Sequence, residues 1–354
     1  MRWQDTLGSL FMVGIPQPTL DNQTRVQLQE LRPGGIILFR RNYTTPDALA
    51  TLCAELHSLF STQRPIIALD HEGGRVHRLS PPFTHFPAML NVGRTNSVDL
   101  AYRVGLAMGH ELRSVGIDLD FAPVLDVLTN PANTVIGDRA FSTDPYQVAL
   151  FGRAQARGLR DAGIIPCGKH FPGHGGTLLD SHEDLPRDDR SREELTRIDL
   201  YPFQQAIAEG LEMIMTAHVL YPALDPDLPA TVSPKILNSL LRQQIGFNGV
   251  IITDDLEMGA VVRHSTIDQA VINTLTAGAD MLLVCHKIEL AIVARNACVQ
   301  AVESGAVQQA RIEEAARRIS ALKIAHQQRQ LPVGESIGRH EHAQLVEEIR
   351  RAVS

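Results

Sequence analysis

Aromatic residues make up only 5% of this 354-residue chain, and its one tryptophan, Trp3, sits at the N-terminal end. A binding site walled by several indole rings is therefore excluded, and recognition is expected to rest on hydrogen bonds and charge more than on ring stacking. The four cysteines, Cys53, Cys167, Cys285 and Cys298, form no CxxC pair. Cys167 and Cys285 fall inside apolar, strand-like runs, which favours buried free thiols in a reducing compartment over a disulfide framework. No run approaches the roughly 18 apolar residues of a membrane helix. The opening MRWQDTLGSLFMVGIPQPTL lacks a basic lead, a long apolar core and a small-residue cleavage site, so LFMVGI reads as a core strand. With 33 Lys+Arg against 40 Asp+Glu the chain carries a net charge of −7 and no long basic run. Nucleic acid and anionic membrane are poor partners for such a chain. There are no repeats and no low-complexity tracts. The expectation is a soluble cytoplasmic protein.

What is present is alternation. Short β-branched runs are predicted as strands at 10–15, 35–39, 66–70, 118–124, 166–170, 213–218, 249–254 and 281–285. Amphipathic stretches of helical period separate most of them, several closed by Gly116, Gly163, Gly210, Gly246 or Gly278. The strands are nearly continuous apolar runs, as expected where both faces of a parallel sheet are covered. Eight strands with interleaved helices predict a single (β/α)8 TIM-type barrel over 1–354, with C-terminal helices from about 287 onward. A Rossmann-like sheet is the alternative, but no GxGxxG follows an early strand, and GHGG at 173–176 has the wrong spacing.

The C-terminal ends of the strands, where such a barrel keeps its active site, are unusually charged. GIILF runs into Arg40, IIALD ends at Asp70, PCGKH at Lys169 and His170, MIMTAH at His218, and GVIITD at Asp254 with Asp255 next. Buried charge needs a partner, so five such ends imply a polar site. The segment 169–186, KHFPGHGGTLLDSHEDLP, is densest. Its three histidines admit a metal site, but their spacing matches no familiar zinc pattern and no metal is assigned. A solvated loop is the plain alternative. The third reading is an Asp180–His182 pair, in which the carboxylate orients the imidazole as a general acid/base. In DHEGGRVHRL, Gly73-Gly74 permits a tight turn, Asp70 can accept hydroxyl hydrogen bonds, and Arg78 can hold an oxygen. A structural ion pair of Asp70 with Arg75 or Arg78 competes with that reading. Asp255 or Glu257 suits a helix cap, which leaves Asp254 to project into the barrel mouth.

The motifs GGIILFRRN, ALDHEGGRVHRL, DFAPVLDV, IGDRAFSTDP, KHFPGHG with a downstream DSH, MTAHVLYP and VIITDDLEMGA occur in this order. Over roughly residues 8–285 the chain resembles glycoside hydrolase family 3, and more narrowly its β-N-acetylhexosaminidase branch of peptidoglycan recycling. The resemblance implies a (β/α)8 barrel and a retaining double displacement. It implies Asp254 as nucleophile and His182 as acid/base with Asp180 as its partner. Asp70, Arg78, Arg139, Lys169 and His170 would line the sugar site, with His218 beside them. The implied substrate is a small carbohydrate or muropeptide with a terminal N-acetylglucosamine, acted on by a monomer without a cofactor.

The chemistry is coherent. Lys169 and Arg139 near Asp254 would favour its carboxylate, and a near-neutral imidazole suits both halves of a double displacement. One position departs from the family's usual KHFPGHGDT, for Gly176 stands where that pattern has Asp. The expectation is altered loop ordering or substrate contact, with activity retained. Only a short stretch follows the last strand, so the second α/β domain of many family members is not expected in this sequence. Two other functions compete: a phosphorylase using the same site, since a histidine acid/base does not repel phosphate, and a sugar-binding protein without turnover.

Overall fold

Eight parallel strands close into a barrel, and each coincides with a strand predicted from the sequence. They and a hairpin run in chain order: β1 (Phe11–Gly14), β2 (Gly35–Leu38), β3 (Ile66–Leu69), the antiparallel pair β4 (His71–Gly73) and β5 (Val76–His77), β6 (Leu119–Asp120), β7 (Ile165–Phe171), β8 (Met213–Thr216), β9 (Val250–Asp255) and β10 (Met281–Val284). The closed order is β1-β10-β9-β8-β7-β6-β3-β2. This is a computed structural model, which describes residues 3–60, 63–177, 181, 184–329 and 336–354, with Asp5 described by its backbone alone.

Local chemistry explains where the surrounding helices start and stop. Asp21, Thr45, Ser97 and Thr266 each accept an amide hydrogen from the first turn of the helix that follows. Such a cap is worth about 1 kcal/mol. The five glycines predicted as helix stops, Gly116, Gly163, Gly210, Gly246 and Gly278, all take positive φ. After β10 come three helices, Ile288–Glu303, Gln309–Gln328 and His340–Val353. Among the described residues no helix is long and apolar enough to cross a membrane.

Two departures from the predicted strands bear on the site. The run at 118–124 pairs as β6 only through Asp120, because Pro123 has no amide hydrogen to give the ladder. Pairing resumes as a single bridge between Val124 and Lys169. The segment Lys235–Gln244, predicted as an ordinary amphipathic helix, winds as a π-helix, for which nothing in its packing gives a reason.

The second departure is in register. On β7, Gly168 faces Ile214 and Phe171 faces Thr216, so one extra residue is accommodated at Lys169–His170. On β9, Ile252 faces Met281 and Asp255 faces Leu283, so another is accommodated at Thr253–Asp254. An extra residue breaks the strict in–out alternation and re-aims side chains. Both irregularities fall at the strand ends where the sequence concentrates charge.

Candidate active site

The strand ends assemble a chain of alternating charge. Lys169 is 1% exposed, and its Nζ lies 2.7 Å from Asp70 Oδ1 and 2.5 Å from Glu72 Oε1. Glu72 in turn accepts two hydrogen bonds of 2.8 Å from the Arg139 guanidinium. Arg78 approaches the outer oxygen of Asp70 at 3.4 Å. The tight turn at Gly73-Gly74, with φ of 90° and 54°, folds β4 and β5 together and brings Arg78 back toward Asp70. Burial alone would raise the Asp70 carboxyl, but Lys169 and Arg78 hold it below its usual range. Burial would likewise raise Glu72, and Arg139 and Lys169 push it far down. Asp70 does form an ion pair, with Lys169 and Arg78; Arg75 is spent on Asp138 and on the carbonyls of Thr134, Val135 and Ile136.

Asp254 ends half-buried at the mouth. Its Oδ1 accepts the amide of Asp255 at 2.8 Å. Burial works against its charge, yet His218, His170, that amide and Lys169 together keep the carboxyl below its ordinary value. The expectation that Lys169 and Arg139 hold Asp254 ionised is therefore corrected in part. Lys169 contributes after the two histidines, and Arg139 is committed to Glu72. Asp255 does not take the expected capping role: the helix that follows, Gly259–Val262, has Met258 at its N-cap and no side-chain cap, and Asp255 instead accepts the amides of Glu257, two residues on, and Cys285 at 3.1 Å each. Burial lifts its carboxyl to about 6.

The histidines have separate duties. His170 Nδ1 lies 2.7 Å from Asp126, and the His174 amide donates to the same carboxylate at 2.7 Å. His218 Nε2 donates to the Asp255 carbonyl at 3.0 Å, and its Nδ1 meets Thr231 Oγ1 at 2.8 Å. His174 uses one ring nitrogen on Thr177, at 2.8 Å, and the other on Ser181, at 3.2 Å. No group of three metal-type ligands forms among the described residues, which do not include His182.

Asp180 and His182 lie outside the described residues. Ser181 is described, and its carbonyl accepts the Ala260 amide at 3.1 Å. Beyond it the chain is pinned by backbone bonds from Leu220 to Pro186 and from Asp188 to Leu220. Arg190 braces this return, bonding Asp188 at 2.6 Å and Asp199 at 2.9 Å. The same bracing accounts for Gly176. A Cβ there would lie 2.4 Å from the Arg190 guanidinium and 2.6 Å from Asp188 Oδ2. The loop is thus tied by an Arg190–Asp188–Asp199 cluster, and a side chain at 176 would have to displace the ends of Arg190 and Asp188.

Asp70, Arg78 and Asp254 share a cavity of about 330 Å³, whose walls include Phe39, Glu257, Met258, Gly259 and His286. That is the small end of the range for ligand pockets, matched to a ligand of one or two rings. Phe39 supplies its aromatic surface, stacked on His286 with ring centres 6.1 Å apart and with Arg41 over its face at 4.4 Å. Lys169, His170 and His218 stand behind Asp70 and Asp254, while Arg139 lies one step further back.

Glu72, Asp126, Phe39 and His286 were not singled out from the sequence. Glu72 carried a signal, since in an extended run it points to the same side as Asp70 two residues earlier. Asp126 is an acid inside the apolar run APVLDV. Phe39 and His286 gave none.

A parallel barrel whose mouth sets two ionised carboxylates, Asp70 and Asp254, on one small cavity has the build of a glycoside hydrolase. The family model described as the glycosyl hydrolase family 3 N terminal domain matches residues 4–322. A beta-hexosaminidase of Thiobacillus denitrificans is 44% identical over 292 residues, covering 81% of this chain and 80% of the relative. One from Methylococcus capsulatus is 45% identical over 283 residues, covering 78% and 83%. Among solved structures, NagZ of Neisseria gonorrhoeae in complex with N-trifluoroacetyl-D-glucosamine superposes with a TM-score of 0.81 at 35% identity, covering 98% of both chains. A family 3 beta-N-acetylglucosaminidase from Paenibacillus gives a TM-score of 0.95 at 38% identity, covering all of this chain and 69% of that one. The chain belongs to glycoside hydrolase family 3, and it is a glycoside hydrolase of the β-hexosaminidase kind.

Proposed function

We propose that the protein removes a terminal, non-reducing N-acetylglucosamine from small β-linked saccharides by a retaining double displacement. Its natural substrates are cytoplasmic muropeptides, N-acetylglucosamine on 1,6-anhydro-N-acetylmuramic acid, in peptidoglycan recycling. The observation that carries this reading is the Asp254 carboxylate, held ionised by His218, His170 and Lys169 and open to the same cavity as Asp70 and Arg78.

An ionised oxygen is what attack on an anomeric carbon requires. Asp254 is the nucleophile, and the covalent glycosyl-enzyme is then hydrolysed with retention. Asp70 accepts hydrogen bonds from sugar hydroxyls. Its charge and position are set by Lys169, so no reorganisation is needed when the ligand arrives. Arg78 donates to a ring substituent, and Arg139 acts through Glu72 to hold Lys169. His182, oriented by Asp180, protonates the leaving oxygen and afterwards takes a proton from water. A neutral imidazole places no second negative charge beside Asp254, which suits an acid/base working close to an anionic nucleophile. The docking of Ser181 on Ala260, next to the cavity residues Met258 and Gly259, supports this assignment through chain connectivity. The small cavity supports removal of one sugar at a time, and the names of the relatives support N-acetylglucosamine.

The test follows the first-formed product of a chromogenic N-acetyl-β-glucosaminide by proton NMR. The β-anomer appearing before mutarotation supports retention. The α-anomer appearing first contradicts the double displacement, and no turnover contradicts the substrate.

A further inference from the structure

The opposite end of the barrel holds a second cavity, of about 600 Å³. Ser9, just before β1, and Arg64, just before β3, line it, so it opens at the N-terminal face, away from Asp254. One wall is a single face of the helix Gln309–Gln328: Glu313, Arg317, Ser320, Lys323 and Gln327 recur at spacings of three and four residues. The facing wall includes Trp3. Three cations thus meet one carboxylate in a chain whose net charge is −7.

Arg64 and Arg317 are exposed, Lys323 is half-buried, and the three are not all paired within the chain. Arg64 bonds His57 at 2.7 Å and lies 3.9 Å from Asp118. Lys323 and Arg317 have no ion pair or hydrogen bond among the described residues. Glu313, one turn before Arg317, is bonded by Gln309 at 2.7 Å. The acid nearest in effect to Lys323 is Asp118, already engaged by His57 at 2.8 Å, His326 at 3.1 Å and the Ile67 amide at 2.9 Å. Burial lowers the Lys323 ammonium to about 8, although Asp118 opposes this. A half-buried ammonium without a partner in the chain is favoured when an anion arrives from outside.

We propose that this cavity binds an organic phosphate of the nucleoside diphosphate class, its phosphoryl oxygens held by Lys323 and Arg317 with Arg64 at the rim. Paired guanidinium and ammonium groups are the usual phosphate clamp. The volume exceeds what a phosphoryl group alone requires. Trp3, Ala316 and Ile324 supply apolar surface for the remainder, and an indole favours a planar ring.

Trp3 is the chain's one tryptophan, so its fluorescence reports on this cavity alone. The full chain is titrated with ADP, pyrophosphate and adenosine, alongside Lys323→Met and Arg317→Ala. ADP should give a saturable change that weakens with added salt, and each variant should lose about tenfold in affinity, the worth of one charge-assisted hydrogen bond. Pyrophosphate should bind more weakly and adenosine weakest. Unchanged hydrolysis of the chromogenic substrate confirms that the variants fold, because both residues lie far from Asp254. No saturable change up to about 10 mM ADP, or affinity unaltered in both variants, overturns the proposal. Equal affinity for pyrophosphate and ADP overturns the placement of the ring against Trp3.

Discussion

The two ends of the barrel use the same residue types for opposite purposes. At the N-terminal end, Asp280 immediately precedes β10 and is fully buried. Arg311 at 2.6 Å, Arg318 at 3.2 Å, the Ile251 amide at 3.0 Å and Arg242 surround it. Asp118, just before β6, is enclosed in the same manner by two histidines and an amide. At the C-terminal end, Asp70 and Asp254 are also held by cations, but both line an open cavity. Pairing on every side makes a staple. Pairing on one side, with space on the other, leaves a carboxylate that can meet a ligand without losing its charge.

The contrast is tested most strongly by deleting one carboxylate from each end. Asp254→Ala should reduce kcat by at least about 10³-fold, because the nucleophile is gone, with little change in thermal midpoint. Asp280→Ala should do the reverse. Leaving buried arginines without their counter-charge should cost about 3–5 kcal/mol in denaturant unfolding, while kcat per folded molecule stays within about twofold. Loss of activity in a folded Asp280→Ala protein would break the comparison.

A smaller effect is expected where the loop is braced. Gly176→Ala puts a methyl group where Arg190 lies, and displacing that ion-pair cluster should cost about 1–3 kcal/mol. Unaltered stability would mean that Arg190 swings aside freely.

The mildest test concerns pH. The rings of His71, His77 and His85 lie tilted against one another with successive centres 4.3 Å apart, and neither ring nitrogen of His71 has a hydrogen-bond partner. Burial, reinforced by the neighbouring imidazoles, holds His71 well below the ordinary value and His77 at about 4. Below about pH 6.5 the unfolded chain therefore takes up protons that the folded hairpin refuses. These two groups make stability fall as pH drops from about 6.5 toward 4. Asp199 and Asp255, raised by burial to about 7 and about 6, act with the opposite sign. The readout is accordingly a difference: the thermal midpoint of His77→Phe minus that of wild type should grow as pH falls through this window. A constant difference would remove His77 from the account.

The barrel was legible because its strands are apolar runs punctuated by glycine and by charge, buried along their length except at Asp254. Asp254, Lys169, His170 and Asp70 were legible for the same reason, as ionisable residues at the ends of such runs. Glu72 and Asp126 were not, because their roles depend on Lys169, Arg139 and His170, partners brought close by barrel closure and not by neighbourhood in the chain. The register irregularities on β7 and β9 leave no mark in composition. Gly176 showed only as a departure from the family pattern; its cause, the Arg190 guanidinium, comes from the far side of the loop.

The central claim is that Asp254, and not its neighbour Asp255, carries the reacting oxygen. It is tested most directly by trapping the enzyme with a 2-fluoro or 5-fluoro sugar and mapping the labelled peptide by mass spectrometry. The account predicts one sugar per chain, on the peptide containing VIITDDLEM and at Asp254. A label on Asp255, or on a peptide from elsewhere in the barrel, would contradict it.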